Sequence, residues 1–301
     1  MTDLHPNPTA AWQRWRHRVG GCLLMIACAE GLHRTLTHPV SVDDADQALR
    51  TPIRELQYGP VTGQTLTLAA HLIRHSVHSP APPAPPRGRS SPRVDALCLH
   101  ELDLTGFAAT GSAAVWISPL GLLPRLALSE VAEAARRAAA RSGVDHTNRD
   151  VAVAQAVAVA TAALQEPGRP PHADHLIATI AAHTDTAPLR EALQTVRALA
   201  GRPGTDDHTA AHRFAEDPAI TAFTLALHLY LTRYQQPHAA LRRAMLAPGP
   251  DTTALTAALL GAHGGDDLVP AEWGTRLRSS LRVWSVAGEL AELVTHAAPQ
   301  R

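Results

Sequence analysis

Lysine is absent: all 27 basic residues among the 301 are arginines, and 27 acidic residues balance them to a formal net charge of zero. That balance argues against a surface made to coat nucleic acid or an anionic membrane. Aromatic residues are scarce, at 4% against 45% hydrophobic, so the apolar content is mainly Ala, Leu and Val. Few stretches alternate with period two, and the composition predicts a nearly all-α chain. Cysteine is equally sparse. Cys22, Cys28 and Cys98 form no C-x-x-C pair and are too few for a disulfide framework, so they read as reduced thiols of a cytoplasmic protein. The long apolar run needed for a membrane span is missing too: Val19–Ala29 falls short of the roughly 20 residues required. An Arg- and Trp-bearing segment precedes it, unlike a signal peptide, which leaves the central turns of a buried helix. A Gly-Lys phosphate loop and a Gly-x-Ser-x-Gly elbow are both absent.

What is present is a succession of helical patterns long enough to share one core, consistent with a single domain over 1–301. Trp12, Trp15, Val19, Cys22 and Ile26 step by three and four. A Pro-rich loop at 78–93 carries Pro80, Pro82, Pro83, Pro85, Pro86 and Pro92 and cannot pack as a helix or strand. It is either a variable surface insertion or a segment for a proline-binding partner. Ser129 is placed to cap a helix that Gly143 stops. Further helices are predicted over 150–165, 174–184 and 188–200, then after Asp217-Pro218 and after Pro237. A last one is predicted over about 275–296, with Leu277, Leu281, Trp284, Leu290 and Leu293 inward.

The organising stretch is Pro248–Trp273, in which a Pro/Gly turn delivers Asp251 to a helix start as its predicted N-cap. Leu255, Ala258, Leu259 and Ala262 recur at helical spacing, small residues around Gly261 let another helix approach, and Gly264-Gly265 ends the element. This stretch resembles the ADP-ribosylglycohydrolase family, of the dinitrogenase-reductase-activating glycohydrolase type. That family has Asp-Thr-Asp-Thr, a small-residue helix, Gly-Ala and Pro-Ala-x-Trp; Asp251-Thr252 match the second Asp-Thr, while Gly249-Pro250 stand at the first. The resemblance runs from about Arg18 to His296. Residues 18–33 resemble the family's opening helix, with Met25, Ala29 and His33 at three of its glycines and Glu30 at its Asp; a later acidic position falls at about Thr37. Residues 58–74 follow its second metal motif, with Thr62, Thr65 and Leu66 matching but Gly59-Pro60-Val61 in place of Thr-Asp-Asp. Thr110, Gly111 and Ser112 stand for the Gly-Asn-Gly of its ADP-ribose pocket, Trp116 for an Arg, and His146 for the His of a Thr-His turn.

The resemblance implies a single compact orthogonal bundle of α-helices and cleavage of an ADP-ribosyl glycosidic bond by paired Mg²⁺ or Mn²⁺ ions. Two such ions bring four positive charges and require several converging carboxylates. At the matching positions this chain offers Asp251 and the Thr252 hydroxyl, with Glu30 as a candidate third ligand. Glu30 can equally serve as a capping or ion-pairing residue in a packed helix. Thr205-Asp206-Asp207 repeats the Thr-Asp-Asp tripeptide out of place, as a solvated turn or displaced ligands. His71, His75 and His78 share one helical face, which reads as a solvated face or a zinc site. Three functions follow. The first is a degenerate member whose ligand pocket (Thr110, Gly111, Ser112, His146) still meets ADP-ribose or an ADP-ribosylated protein without efficient hydrolysis. The second is an active hydrolase with a rearranged or single-metal site. The third is a helical interaction module with a filled cleft.

Overall fold

The structure, a computed structural model, describes residues 8–36, 40–50, 56–76, 91–107, 113–124, 126–200, 214 and 216–293. Its α-helices in chain order are α1 (Pro8–His33), α2 (Val42–Arg50), α3 (Pro60–Ser76), α4 (Pro92–Asp95), α5 (Ala113–Trp116), α6 (Ser118–Gly121), α7 (Leu128–Arg141) and α8 (His146–Leu164). They continue as α9 (Ala173–Ala181), α10 (Ala187–Ala200), α11 (Pro218–Arg233), α12 (Pro237–Met245), α13 (Asp251–Gly264), α14 (Ala271–Arg276) and α15 (Ser280–Glu292). Among the described residues there is no β-strand, and the architecture is the predicted all-α orthogonal bundle. Of the Pro-rich loop, residues 78–90 lie outside the described residues, as do Thr37, His78 and Thr205-Asp206-Asp207; Pro92 opens α4.

Three helices form the centre because their sequences leave no polar stripe. α1 is buried continuously over 18–33, α8 over 150–163 and α13 over 252–263. Such all-round burial requires packing on every side, and α13 receives α1, α8, α11 and α12. Its crossing with α1 is made by missing side chains. A Cβ on Gly21 would lie 2.6 Å from the Gly261 oxygen, and one on Gly261 would lie 2.7 Å from the Cys22 nitrogen, so the two backbones touch. Full burial of Leu255 and Leu259 stabilises this centre by about 2 kcal/mol each.

Charged side chains close helix ends inside the bundle. The Arg18 guanidinium donates to the carbonyls of Ala262 (2.9 Å) and His263 at the end of α13, and of Ala162 and Gln165 at the end of α8. These are carbonyls that a helix leaves without intrahelical partners, and a cation suits the negative pole there. Burial and Arg18 together hold the neighbouring His263 imidazole down, to a pKa of about 4. His263 is therefore neutral, and its Nδ1 accepts from the Tyr230 hydroxyl (2.7 Å), which burial keeps protonated.

Several local expectations are corrected. Asp251 is the first residue of α13, not its cap: Pro250 already has helical angles and precedes it without a side-chain cap. Ser129 lies inside α7, where the N-cap is Ala127 and Glu130 Oε2 accepts from its N–H (2.8 Å). α8 begins a turn early because Asp145 accepts from the Asn148 N–H (2.7 Å). Asp217 caps α11 as predicted, accepting from Ala219 (2.8 Å) and Ile220 (3.2 Å). The continuous last helix does not form. Leu277 pairs with Leu56 as an isolated parallel bridge, with Leu56 N–H to Arg276 O 3.0 Å and Arg278 N–H to Leu56 O 2.8 Å, and Ser279 turns left-handed at φ 65°. The break re-phases α15, so Val283, Ala287 and Leu290 are buried while Leu281 is 82% exposed and Trp284 lies over Gly20 at the surface.

Candidate functional site

The end of α1 meets the starts of α3 and α13 around a cleft of about 220 Å³, lined by Glu30, His33, Arg34, Pro60, Val61, Pro250, Asp251 and Ala254. The three segments singled out in the sequence at 18–33, 58–74 and 248–273 thus converge. Pro60 suits the first position of α3, since proline's fixed φ is helical and its missing N–H is not needed there. The next two N–H groups are open donors. Glu30 takes both: Oε1 accepts from Val61 (3.1 Å) and Oε2 from Thr62 (2.8 Å). Its side chain therefore caps α3 from a different helix, and Glu30 is 7% exposed.

Gly59 is the floor of this contact. A Cβ there would collide with Glu30 Oε1 and lie 2.7 Å from Arg34 Nη1. The exposed Arg34 follows Glu30 by one helical turn and brings a permanent positive charge to the mouth of the cleft. Asp251 lines the opposite wall, half-buried in the first turn of α13, where the helix dipole favours an anion. Thr252 is 1% exposed and does not line the cleft; its carbonyl accepts from the Thr256 hydroxyl (2.7 Å). The Thr62 hydroxyl, buried at the start of α3, makes no hydrogen bond among the described residues.

Thr110, Gly111 and Ser112 lie outside the described residues. His146 stands exposed at the start of α8 and is not among the residues lining the cleft. Trp116 is buried completely, with its ring edge-on to Phe107 at 5.1 Å, and Met25 and Ala29 are buried in α1. Arg34 was missed in the sequence reading. The signal available was its i+4 spacing from Glu30, which puts both on one helix face.

A family model described as ADP-ribosylglycohydrolase matches residues 4–300. The chain belongs to the ADP-ribosylglycohydrolase family. A solved structure described as an "ADP-ribosylglycohydrolase-related protein complex" superposes with a TM-score of 0.56 over 94% of this chain and 99% of that one, at 20% identity. That likeness shows the ADP-ribosylglycohydrolase fold. No curated protein matches the sequence. The three segments that carry the resemblance converge on this one cleft, and Pro60 and Val61, which line it at the start of α3, contribute no side-chain oxygen to it. No described helix is long and apolar enough to cross a membrane.

Proposed function

We propose that this chain is a degenerate ADP-ribosylglycohydrolase, one domain over its length, whose frame persists without efficient two-metal hydrolysis. The observation that carries this reading is the double capping bond of Glu30, which commits both of its oxygens to the backbone of α3. Asp251 is then the one cleft carboxylate not spent on that cap, and Arg34 adds a cation to the same cleft. A pair of Mg²⁺ or Mn²⁺ ions needs oxygen ligands in near-octahedral array around four positive charges. This donor set does not fit such a pair.

The ligand role that remains is recognition of part of ADP-ribose or of an ADP-ribosylated protein. A volume near 220 Å³ lies below the roughly 300–1,000 Å³ of pockets that enclose a drug-sized ligand. It suits one sugar or phosphate group, for which Arg34 is the charged partner. Glu30 and Asp251 on one cleft also favour a second reading, a hydrolase with a single-metal site in which Glu30 gives up its cap.

Isothermal titration with ADP-ribose, with and without Mg²⁺, together with an ADP-ribosyl-arginine hydrolysis assay run beside an active family member, separates these readings. Metal-independent binding with no turnover is the expected result. Metal-dependent, submicromolar binding or steady turnover would overturn it.

A further inference from the structure

Away from the cleft, at the opposite end of α3, three side chains of different donor type converge. His75 lies in the last turn of α3, roughly 22 Å along the helix axis from Pro60. Cys98 immediately precedes the 3₁₀ turn Leu99–Glu101, and Glu101 ends that turn. One ligand atom from each lies within 4.8 Å of the other two, and His75 Nε2 to Glu101 Oε2 is 3.6 Å. Around a tetrahedral zinc ion, ligand atoms stand roughly 3.5 Å apart, so modest rotations of half-exposed side chains complete the geometry.

The surroundings hold the group together. Cys98 is a non-glycine residue in left-handed conformation, φ 48° and ψ 35°, which turns the chain beside α3. His71, one turn before His75, donates from Nε2 to the carbonyls of Leu97 (3.0 Å) and Cys98 (3.2 Å) and ties the turn to the helix. Its ring packs on that of His75 at 4.3 Å. The histidines at 71 and 75 therefore divide their work: one is buried and spent on backbone carbonyls, the other is available at the surface.

We propose that His75, Cys98 and Glu101 form a binding site for a single transition-metal ion of the zinc class. The mixture of imidazole, thiol and carboxylate selects such an ion over Mg²⁺ or Ca²⁺, which take oxygen ligands. Three protein ligands leave a fourth position for water. Burial and the Glu101 carboxylate push the Cys98 thiol pKa up, and a bound cation reverses that by stabilising thiolate beside carboxylate. This site is independent of the cleft and of the reading given to it above.

The test uses the full chain and metal alone. Cys22 and Cys28 are wholly buried, with the Cys28 thiol pushed up to about 12, so Cys98 is the thiol that a maleimide labels in the folded protein. One equivalent of Zn²⁺ should slow that labelling about tenfold or more, chelator should restore it, and Co²⁺ should give a thiolate charge-transfer band. The band should vanish in Cys98→Ser, and affinity should fall about tenfold or more in His75→Ala and Glu101→Gln. Labelling at an unchanged rate with Zn²⁺, or Co²⁺ binding to the unmodified chain without the band, overturns the proposal; neither measurement requires a variant to fold. His17, Asp266 and Asp267 make the rival cluster. If Asp266→Asn abolishes the Zn²⁺ protection of Cys98 while circular dichroism stays unchanged, the proposal also fails.

Discussion

Glu30 and Asp150 are two buried carboxylates in different parts of the bundle, 7% and 4% exposed, and each accepts from backbone N–H groups at or just before the start of a helix other than its own. Asp150, on α8, accepts from the N–H groups of Asp185 (2.9 Å) and Thr186 (2.8 Å) and from the Thr186 hydroxyl (2.6 Å) just before α10. Glu30 accepts from two N–H groups of α3, and its surroundings differ: Asp150 is enclosed by the bundle, whereas Glu30 forms a wall of the cleft. A carboxylate aimed at a helix start satisfies open donors and meets the positive pole wherever it occurs. The pair shows that a buried acidic residue in a cleft does not by itself indicate metal chemistry. The same geometry supports the bundle at a place with no cleft-lining role.

The comparison can be tested in order of expected effect. Asp150→Ala removes the acceptor shared by three part-buried donors, the N–H groups of Asp185 and Thr186 and the Thr186 hydroxyl, and should lower unfolding free energy in urea by about 2–3 kcal/mol. A loss under about 1 kcal/mol would mean that these contacts are not structural. Glu30→Gln keeps one accepting oxygen and should cost about 1–2 kcal/mol in the same measurement. If it instead raises stability, the comparison breaks, because a residue held for chemistry at the expense of the fold is the one whose replacement stabilises. Asp251→Asn, half-exposed in the first turn of α13, should cost less than about 1 kcal/mol. Since Asp251 is the one cleft carboxylate not spent on the Glu30 cap, a small stability change combined with lost ADP-ribose binding would assign it to the ligand.

Much of the frame was legible in the chain. The close approach of another helix at Gly261, the stop at Gly264-Gly265 and the Asp217-Pro218 start follow from residue types and their local geometry, whereas the partner at Gly261, Gly21 of α1, is set by the packing. The last helix was misread because Leu281 and Trp284 continue a helical spacing that periodicity cannot distinguish from a broken one. The interruption comes from Leu56, more than 200 residues away in sequence. Arg18 was read as the edge of a motif, yet its role is set by carbonyls of α8 and α13.

By itself the sequence determined the all-helical class, the order of the family segments and the absence of side-chain oxygens at Pro60 and Val61, since each depends on residue type and spacing along one stretch. Only the tertiary structure decided that Glu30 caps α3, that Arg34 shares its cleft and that His75 meets Cys98 and Glu101. Those outcomes depend on which helix ends are brought within hydrogen-bonding or coordinating distance, and that is fixed by packing across the bundle.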